Sequence, residues 1–244
     1  ARATSATLTL VSAPAGFGKT TVMAELAYRP EGATVAWLSL DASDDDPVTF
    51  WTYVIEAVDR AVPGLGAAAR SNLVTTLLNA LAGSPTELLL LLDDVHVIES
   101  AAIHEQIGYF LDHLPGQAHV VIGTRADPAF PLARLRARGG LVEIRATDLR
   151  FSAEEAASYL AGMGLSLTSD DIATLEARTE GWIAALQLAA LSLQGRGDAG
   201  GELREGQHDP REDPDRADGH MKTQSERPPL PRRWTASQTP PVHA

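Results

Sequence analysis

The chain has 244 residues, no cysteine and a formal net charge of −12. That length accommodates one or two domains with a sizeable core, while the absent thiols exclude disulfides and thiolate metal sites and fit a reducing, cytoplasmic setting. A chain this acidic is repelled by a phosphate backbone, which argues against direct nucleic-acid contact by this segment.

Hydrophobic residues make up 44% of the chain, ordinary for a globular protein. The longest apolar run in the middle of the chain, Leu88 to Leu92, is far too short to span a bilayer, so no membrane partner is expected. Ala1-Arg2-Ala3-Thr4 is not followed by a signal-type apolar core, and with no initial Met the start reads as processed or missing.

In chain order, Leu8 to Val11 reads as a buried strand and Lys19 to Arg29 as a helix stopped by Pro30. Thr34 to Leu40 is a second strand. Asp46-Pro47 has the form of a helix start, a capping Asp followed by Pro at the first helical position. Phe50, Val54 and Val58 then recur at helical spacing. A helix is expected over Leu73 to Leu81, a strand over Leu88 to Leu92, and a helix from His104 to Leu114 that ends at Pro115-Gly116. His119 to Gly123 and Leu141 to Ile144 are the fourth and fifth strands. Strands apolar on both faces and alternating with helices predict a parallel sheet covered on both sides. Beyond Phe151 the strands stop. Ser152-Ala153-Glu154-Glu155 is a capping box, Thr168 to Asp171 opens another helix, and after Gly181 the residues Trp182, Leu186, Ala189 and Leu193 share one helical face. Trp37 and Trp182 read as core residues. From Gly195 the chain turns polar and rich in Gly and Pro, which predicts a disordered tail, either a solvated linker or an aberrant C-terminal translation.

"SAPAGFGKTT", residues 12 to 21, lies between the first strand and the first helix. A phosphate-binding loop needs inward-facing backbone N–H groups, small residues for close approach and a helix N-terminus behind it. Ala15, Gly16, Phe17, Gly18, Lys19, Thr20 and Thr21 provide that frame, with Lys19 as the cation for the β- and γ-phosphates and Thr20 as a hydroxyl for Mg²⁺. Where the usual pattern begins with Gly, this chain has Ala13, which is tolerable if its φ stays negative. The second element is the strand Leu88 to Leu92 running into Asp93-Asp94. Two carboxylates closing a buried strand are costly without a compensating cation or hydrogen bonds. Asp93 is expected to hold the metal and Asp94 to act as general base on water. The third is Arg125, just past the fourth strand, whose end should lie beside the two acids. It could stabilise charge on a transferring phosphate, or instead sit in a surface ion pair. His96 invites a metal reading, but no other His stands at ligand spacing, so a structural or loop role is expected. The expected fold is an α/β P-loop NTPase with a parallel five-stranded sheet (1–150), a small helical subdomain (151–194) and a disordered tail (195–244). The expected ligands are ATP and Mg²⁺.

The stretches "VSAPAGFGKTT", "VAWLSLDASDDDPVTFWTYVIEA", "LLLLLDDVHVIES", "VVIGTRADPAFPLARLRARG", "LVEIRATDLRFSAEEAASYL" and "LEARTEGWIAALQLAALSL", in this order, resemble the STAND branch of P-loop ATPases, specifically the MalT-like group of large ATP-binding LuxR-type transcriptional regulators. The resemblance covers about residues 7 to 194. It implies a nucleotide-binding domain and a helical subdomain which, in the family, precede a winged-helix piece, a sensor array of helical repeats and a LuxR-type helix-turn-helix. It further implies that ATP and inducer together promote self-association and transcription activation, and that hydrolysis resets the switch. By the same resemblance Gly16 to Thr21 cradle the phosphates, Asp93 and Asp94 form the acidic pair, and Arg125 senses the γ-phosphate. Three departures stand out. Few residues precede the first strand, the stretch between Pro63 and Leu88 is short for the family, and the likeness ends after Leu193. The expectation is therefore a weak ATPase serving as the motor core of such a regulator. A nucleotide-binding scaffold without turnover, a nonfunctional fragment and a different P-loop enzyme remain alternatives. A GTPase would want N-K-x-D, yet neither Asn72 nor Asn79 is followed by Lys; the L-S-G-G-Q of an ABC-type ATPase is also absent.

Overall fold

The computed structural model describes residues 6–28, 32–65 and 72–205, with side chains as far as Gln194. These residues divide into two compact units, the first ending at Arg150 and the second opening at Phe151.

In the first unit, β1 (Leu8–Ser12), β2 (Thr34–Ser39), β3 (Leu88–Asp93), β4 (Ala118–Thr124) and β5 (Leu141–Arg145) form one sheet in the order β2-β3-β4-β1-β5. Every pairing is parallel. The connecting helices are α1 (Lys19–Tyr28), α2 (Pro47–Ala61), α3 (Leu73–Ala82), α4 (Ala101–Asp112) and α5 (Leu132–Ala137). Because side chains alternate along a strand, the five leucines of β3 are shared between two cores. Leu88, Leu90 and Leu92 pack with Leu8, Leu10, Val120 and Ile122 of the neighbouring strands and with Phe50, Leu77, Ile103 and Leu135 of α2 to α5. Leu89 and Leu91 pack on the other face with Val11, Val121 and Met23 of α1. The sheet is thus covered on both sides, as the apolar runs require.

The sheet order places β4 between the strand that leads into the Gly-rich loop and the strand that ends in Asp93. Val11 is opposite Gly123 and Ser12 opposite Thr124, while Leu92 is opposite Ile122. The C-terminal ends of β1, β4 and β3 therefore stand in a row.

The acidic run Asp41 to Asp46 is spent on helix starts. Asp46 accepts from the Thr49 N–H at 2.9 Å with Pro47 behind it, capping α2 as the sequence predicts. Asp45 reaches 55 residues along the chain, where it accepts from the N–H groups of Glu99 (3.0 Å) and Ser100 (2.8 Å). It thereby caps α4 from outside, and α4 begins at Ala101 instead of the expected His104. The short helix α5 has no counterpart in the sequence reading; six residues are too few to show a helical period. β5, at the sheet edge, is only half-buried along its whole length, so it departs from the expected two-faced apolar pattern. The buried tryptophan of this unit is Trp51, whose Nε1 donates to Gln106 Oε1 at 2.7 Å and whose ring meets Phe50 edge-on. Trp37, read from sequence as core, is half-buried against the α1 side.

The second unit comprises α6 (Ala153–Gly162), α7 (Ser169–Thr179) and α8 (Ile183–Glu205). Both expected starts carry full capping boxes, Ser152 with Glu155 and Thr168 with Asp171. Three expectations are corrected here. Trp182 is 37% exposed, not core; it precedes the first residue of α8, where the helical phase has not begun. The buried stripe of α8 is Leu186 with Ala190, with Ala189 and Leu193 only half-buried. Finally, α8 continues to Glu205 instead of stopping near Gly195. A helix already nucleated on packed turns extends cheaply through weak formers, and Gln194 Nε2 donating to the Met163 carbonyl at 2.6 Å anchors it just before the glycines. The rest of the expected disordered tail, 206–244, lies outside the described residues. Among the described residues no helix is long and apolar enough to cross a membrane.

Candidate functional site

The loop between β1 and α1 is held from both ends. The Ala13 N–H donates to the Thr124 carbonyl at 3.2 Å, fixing the loop's entry to β4. Gly16 and Gly18 adopt φ of 78° and 79°, left-handed values that cost glycine little and turn consecutive N–H groups to one side. Ala13 is buried and is not among the described residues with positive φ, so its side chain is accommodated. Ala15 and Gly16 are exposed and Phe17 and Gly18 half-buried along the loop, and Thr20 and Thr21 lie exposed on the first turn of α1.

Lys19 is buried, only 7% exposed, an unusual position for an ammonium. Its Nζ donates to the Pro14 carbonyl at 3.1 Å, arching over the loop. Burial, chiefly, lowers its pKa; Asp94 opposes this and Arg125 adds to it. Asp93 is only 3% exposed. Its Oδ2 accepts from Thr20 Oγ1 at 2.8 Å and its Oδ1 from the Asp94 N–H at 3.0 Å. Burial raises its pKa, the Thr20 hydrogen bond opposes that, and the charge of Asp94 reinforces it. A hard divalent cation takes oxygen ligands, and Mg²⁺ is commonly held by one or two protein oxygens plus phosphate. A desolvated carboxylate joined to a hydroxyl at the foot of such a loop fits that requirement.

Thr20 and Asp93 meet across β4 because Gly123 has no side chain. A Cβ there would lie 2.5 Å from Asp93 Oδ1 and 2.6 Å from Met23 Sδ. The sequence reading missed this role. A glycine inside an otherwise apolar central strand is the signal that could have shown it.

Asp94 leaves the strand in the left-handed region, φ 58° and ψ 35°. Asp tolerates that conformation better than most residues, and strain of this kind gathers at functional sites. Its side chain is 44% exposed, with His96 Nδ1 at 3.6 Å from Oδ1. His96 Nδ1 itself is buried and has no hydrogen-bonding protein group. Burial foremost, then Arg125, depresses the His96 pKa against the pull of Asp94, favouring the neutral ring. Arg125 is exposed at the end of β4, and among the described residues it forms no ion pair. It couples electrostatically to Lys19 and His96. The loop after it is pinned from the far side: Asp127 pairs with Arg145 of β5 and accepts from Ser12 Oγ at 3.4 Å. Arg145 also pairs with Glu143, which takes a bidentate contact from Arg136 at 3.0 Å on each oxygen. Among the described residues no group of three or more His, Asp or Glu is placed to hold a metal by itself.

Lys19, Thr20, Asp93, Asp94, His96 and Arg125 therefore gather where the ends of β1, β4 and β3 meet. Residues 2–126 match the family model described as AAA domain. The chain is 35% identical over 214 residues to the serine/threonine-protein kinase PknK of Mycobacterium tuberculosis, covering 81% of this chain and 19% of that protein. It is also 35% identical over 197 residues to the HTH-type transcriptional regulator MalT of Yersinia enterocolitica, covering 76% of this chain and 22% of that one. It thus spans about a fifth of the length of these curated relatives. Among solved structures, Cdc6p of Pyrobaculum aerophilum matches with a TM-score of 0.50 at 16% identity, over 78% of this chain and 56% of that one, a likeness of fold. The chain belongs to the AAA domain family of nucleotide-binding modules, in a form similar to that found in MalT-like regulators.

Proposed function

We propose that this chain is an ATP-binding, slowly hydrolysing switch module of a cytoplasmic MalT-like regulator. The observation that carries the reading is the buried Asp93, bonded to Thr20 at the foot of a loop whose Lys19 is also buried. Both ions are poorly solvated as they stand, and a triphosphate with its magnesium would supply the missing counter-charges. In this reading Lys19 exchanges the Pro14 carbonyl for phosphate oxygens, and N–H groups of residues 15 to 21 hold the phosphate chain. Thr20 and Asp93 would hold Mg²⁺, which when bound would offset phosphate charge. Asp94 takes the proton of the attacking water, and Arg125 faces the γ-phosphate. The similarity extends to one protein named a kinase and another named a transcriptional regulator, which supports a shared module whose output is set by other parts of each protein. ATP would favour self-association through this domain, with no direct contact to nucleic acid.

The test is binding of a fluorescent ATP analogue, with and without Mg²⁺, followed by turnover. Lys19→Ala should weaken binding at least about tenfold, as loss of a buried charge-assisted contact implies. Asp94→Asn should leave binding intact and slow turnover by roughly a hundredfold or more. Parental binding by Lys19→Ala would remove the phosphate-loop reading. Binding without any turnover in the parent would favour the scaffold alternative.

A further inference from the structure

We propose that Asp127 is a positioning residue for Arg125, fixing the loop from which that side chain extends through a two-pronged pair with Arg145 of β5. The inference rests on the reading of Arg125 as facing the γ-phosphate and adds to it how the arginine is aimed.

Arg125 is the first residue past β4, whose ladder to β1 ends at Thr124, and both it and Ala126 are exposed. An arginine has several rotatable bonds, so the reach of its guanidinium is only as well defined as the backbone it starts from. Two ties hold that backbone, one on each side. On the near side Thr124, 1% exposed, donates its hydroxyl to the Ala126 carbonyl at 2.7 Å and accepts from the Ala126 N–H at 3.4 Å. These bonds close a small ring around Arg125. On the far side Asp127 meets Arg145 with both oxygens, Oδ2 accepting from Nη2 at 3.2 Å and Oδ1 from Nη1. The Ser12 hydroxyl adds a further contact to Oδ1. The anchor is itself fixed. Arg145 stands opposite Ser12 in the sheet, its N–H donates to Asp148 Oδ2 at 2.8 Å, and Glu143 engages its Nη2. A solvent-facing ion pair contributes little to stability, but a bidentate fork sets direction as well as distance, and direction is what aiming requires. The charge of Asp127 points the same way. An acid beside Ser12, the last residue of the strand that enters the phosphate loop, opposes an anionic ligand by Coulomb repulsion. Paired with Arg145 it acts as a tether with that repulsion largely offset.

Charge and aiming therefore predict opposite signs. In the full chain, fluorescent ATP and ADP analogues are titrated with Mg²⁺. Asp127→Ala removes a negative charge, so charge alone would raise the preference for ATP over ADP. Loss of aim predicts a fall in that preference by about threefold to tenfold, with ADP affinity within about twofold of the parent. Arg145→Lys keeps the charge and loses the fork, so it should show part of the same fall. In an Arg125→Ala background, Asp127→Ala should cause no further loss, because the two residues act through one contact. An unchanged or higher preference in Asp127→Ala, a full preference in Arg145→Lys, or an additive loss in the double variant would each overturn the positioning role. An equal loss for both nucleotides in a folded variant would assign the tie to the phosphate loop through Ser12 and overturn it as well. Should Asp127→Ala fail to fold, Arg145→Lys decides. If Arg125→Ala itself keeps the parent's preference, it is the γ-phosphate reading of Arg125 that fails, and the positioning role fails with it. A fall in Arg125→Ala beside a normal Asp127→Ala leaves Arg125 in place and removes only Asp127.

Discussion

Gly123 shows how much a single residue can decide. Its backbone is ordinary, so alanine would be conformationally acceptable there; the obstacle is the space already taken by Asp93 and Met23. Gly123→Ala should destabilise the chain by about 1–3 kcal/mol, the usual cost of overpacking, and should blunt the Mg²⁺ dependence of nucleotide binding by displacing the Asp93 carboxylate from Thr20. Urea unfolding and nucleotide titration at two magnesium concentrations measure both. An alanine variant that matches the parent in both would mean that Asp93 can hold its place without the gap. The neighbouring carboxylate carries a related cost. Asp93 is shifted toward the protonated form mainly by burial, so its ionised form is disfavoured by the fold that uses it. Asp93→Asn should therefore raise the melting temperature of the ligand-free chain at neutral pH while removing magnesium-dependent binding. A lower melting temperature would show that the Thr20 and Asp94 hydrogen bonds outweigh the burial.

At the scale of elements, the half-buried edge strand β5 holds its place through charge as well as packing. Its Glu143 pKa is drawn down from 4.5 to about 2 by Arg136 first and by Arg145 second. A depressed carboxylate contributes stability that is complete above its unfolded pKa and is lost as pH falls through the folded value. The contribution is accordingly present above about 4.5 and gone near 2. Glu143→Gln should flatten the fall in unfolding free energy across that window, and added salt should do the same in part, since the pairs are largely solvent-facing. Urea midpoints near pH 5 and near pH 2.5 decide it. An unchanged slope in the variant would show that other carboxylates dominate acid unfolding. The same cluster ties Asp127 to β5, so it also steadies the loop that comes after Arg125.

For the molecule as a whole, the two apolar clusters of the first unit, among the described residues, lie between Leu8 and Leu149. A domain with its own closed core can fold without the downstream helices. Residues 1–150 alone should give a cooperative thermal transition and bind the ATP analogue within about threefold of the full chain, a difference of under about 1 kcal/mol. A fragment that stays unfolded would show that the helices from Phe151 onward complete the core. A folded fragment that no longer binds would place part of the nucleotide site beyond Arg150.

Local and periodic features were legible in the order of residues. The unbroken apolar run Leu88–Leu92 specified a strand buried on both faces, Asp46-Pro47 and the Ser152 and Thr168 boxes specified helix starts, and the small residues before Lys19-Thr20 marked a close-approach loop between the first strand and the first helix. Each of these depends on residues a few positions apart, so the chain's own order exposes them. Tertiary structure alone decided the rest. The insertion of β4 between β1 and β3 brought Gly123 against Asp93, the fold set Asp45 on the start of α4, and it drew Ser12, Asp127 and Arg145 into one cluster. These contacts join residues separated by tens of positions, and no local propensity encodes them. His96 lies between the two cases: its closeness to Asp94 is local, yet it depends on a left-handed turn that an Asp–Val–His sequence does not announce. The exposure of Trp182 and the extension of α8 to Glu205 depart from the sequence expectation for the same reason, because burial and helix length are set by the groups that pack against a segment and not by its composition.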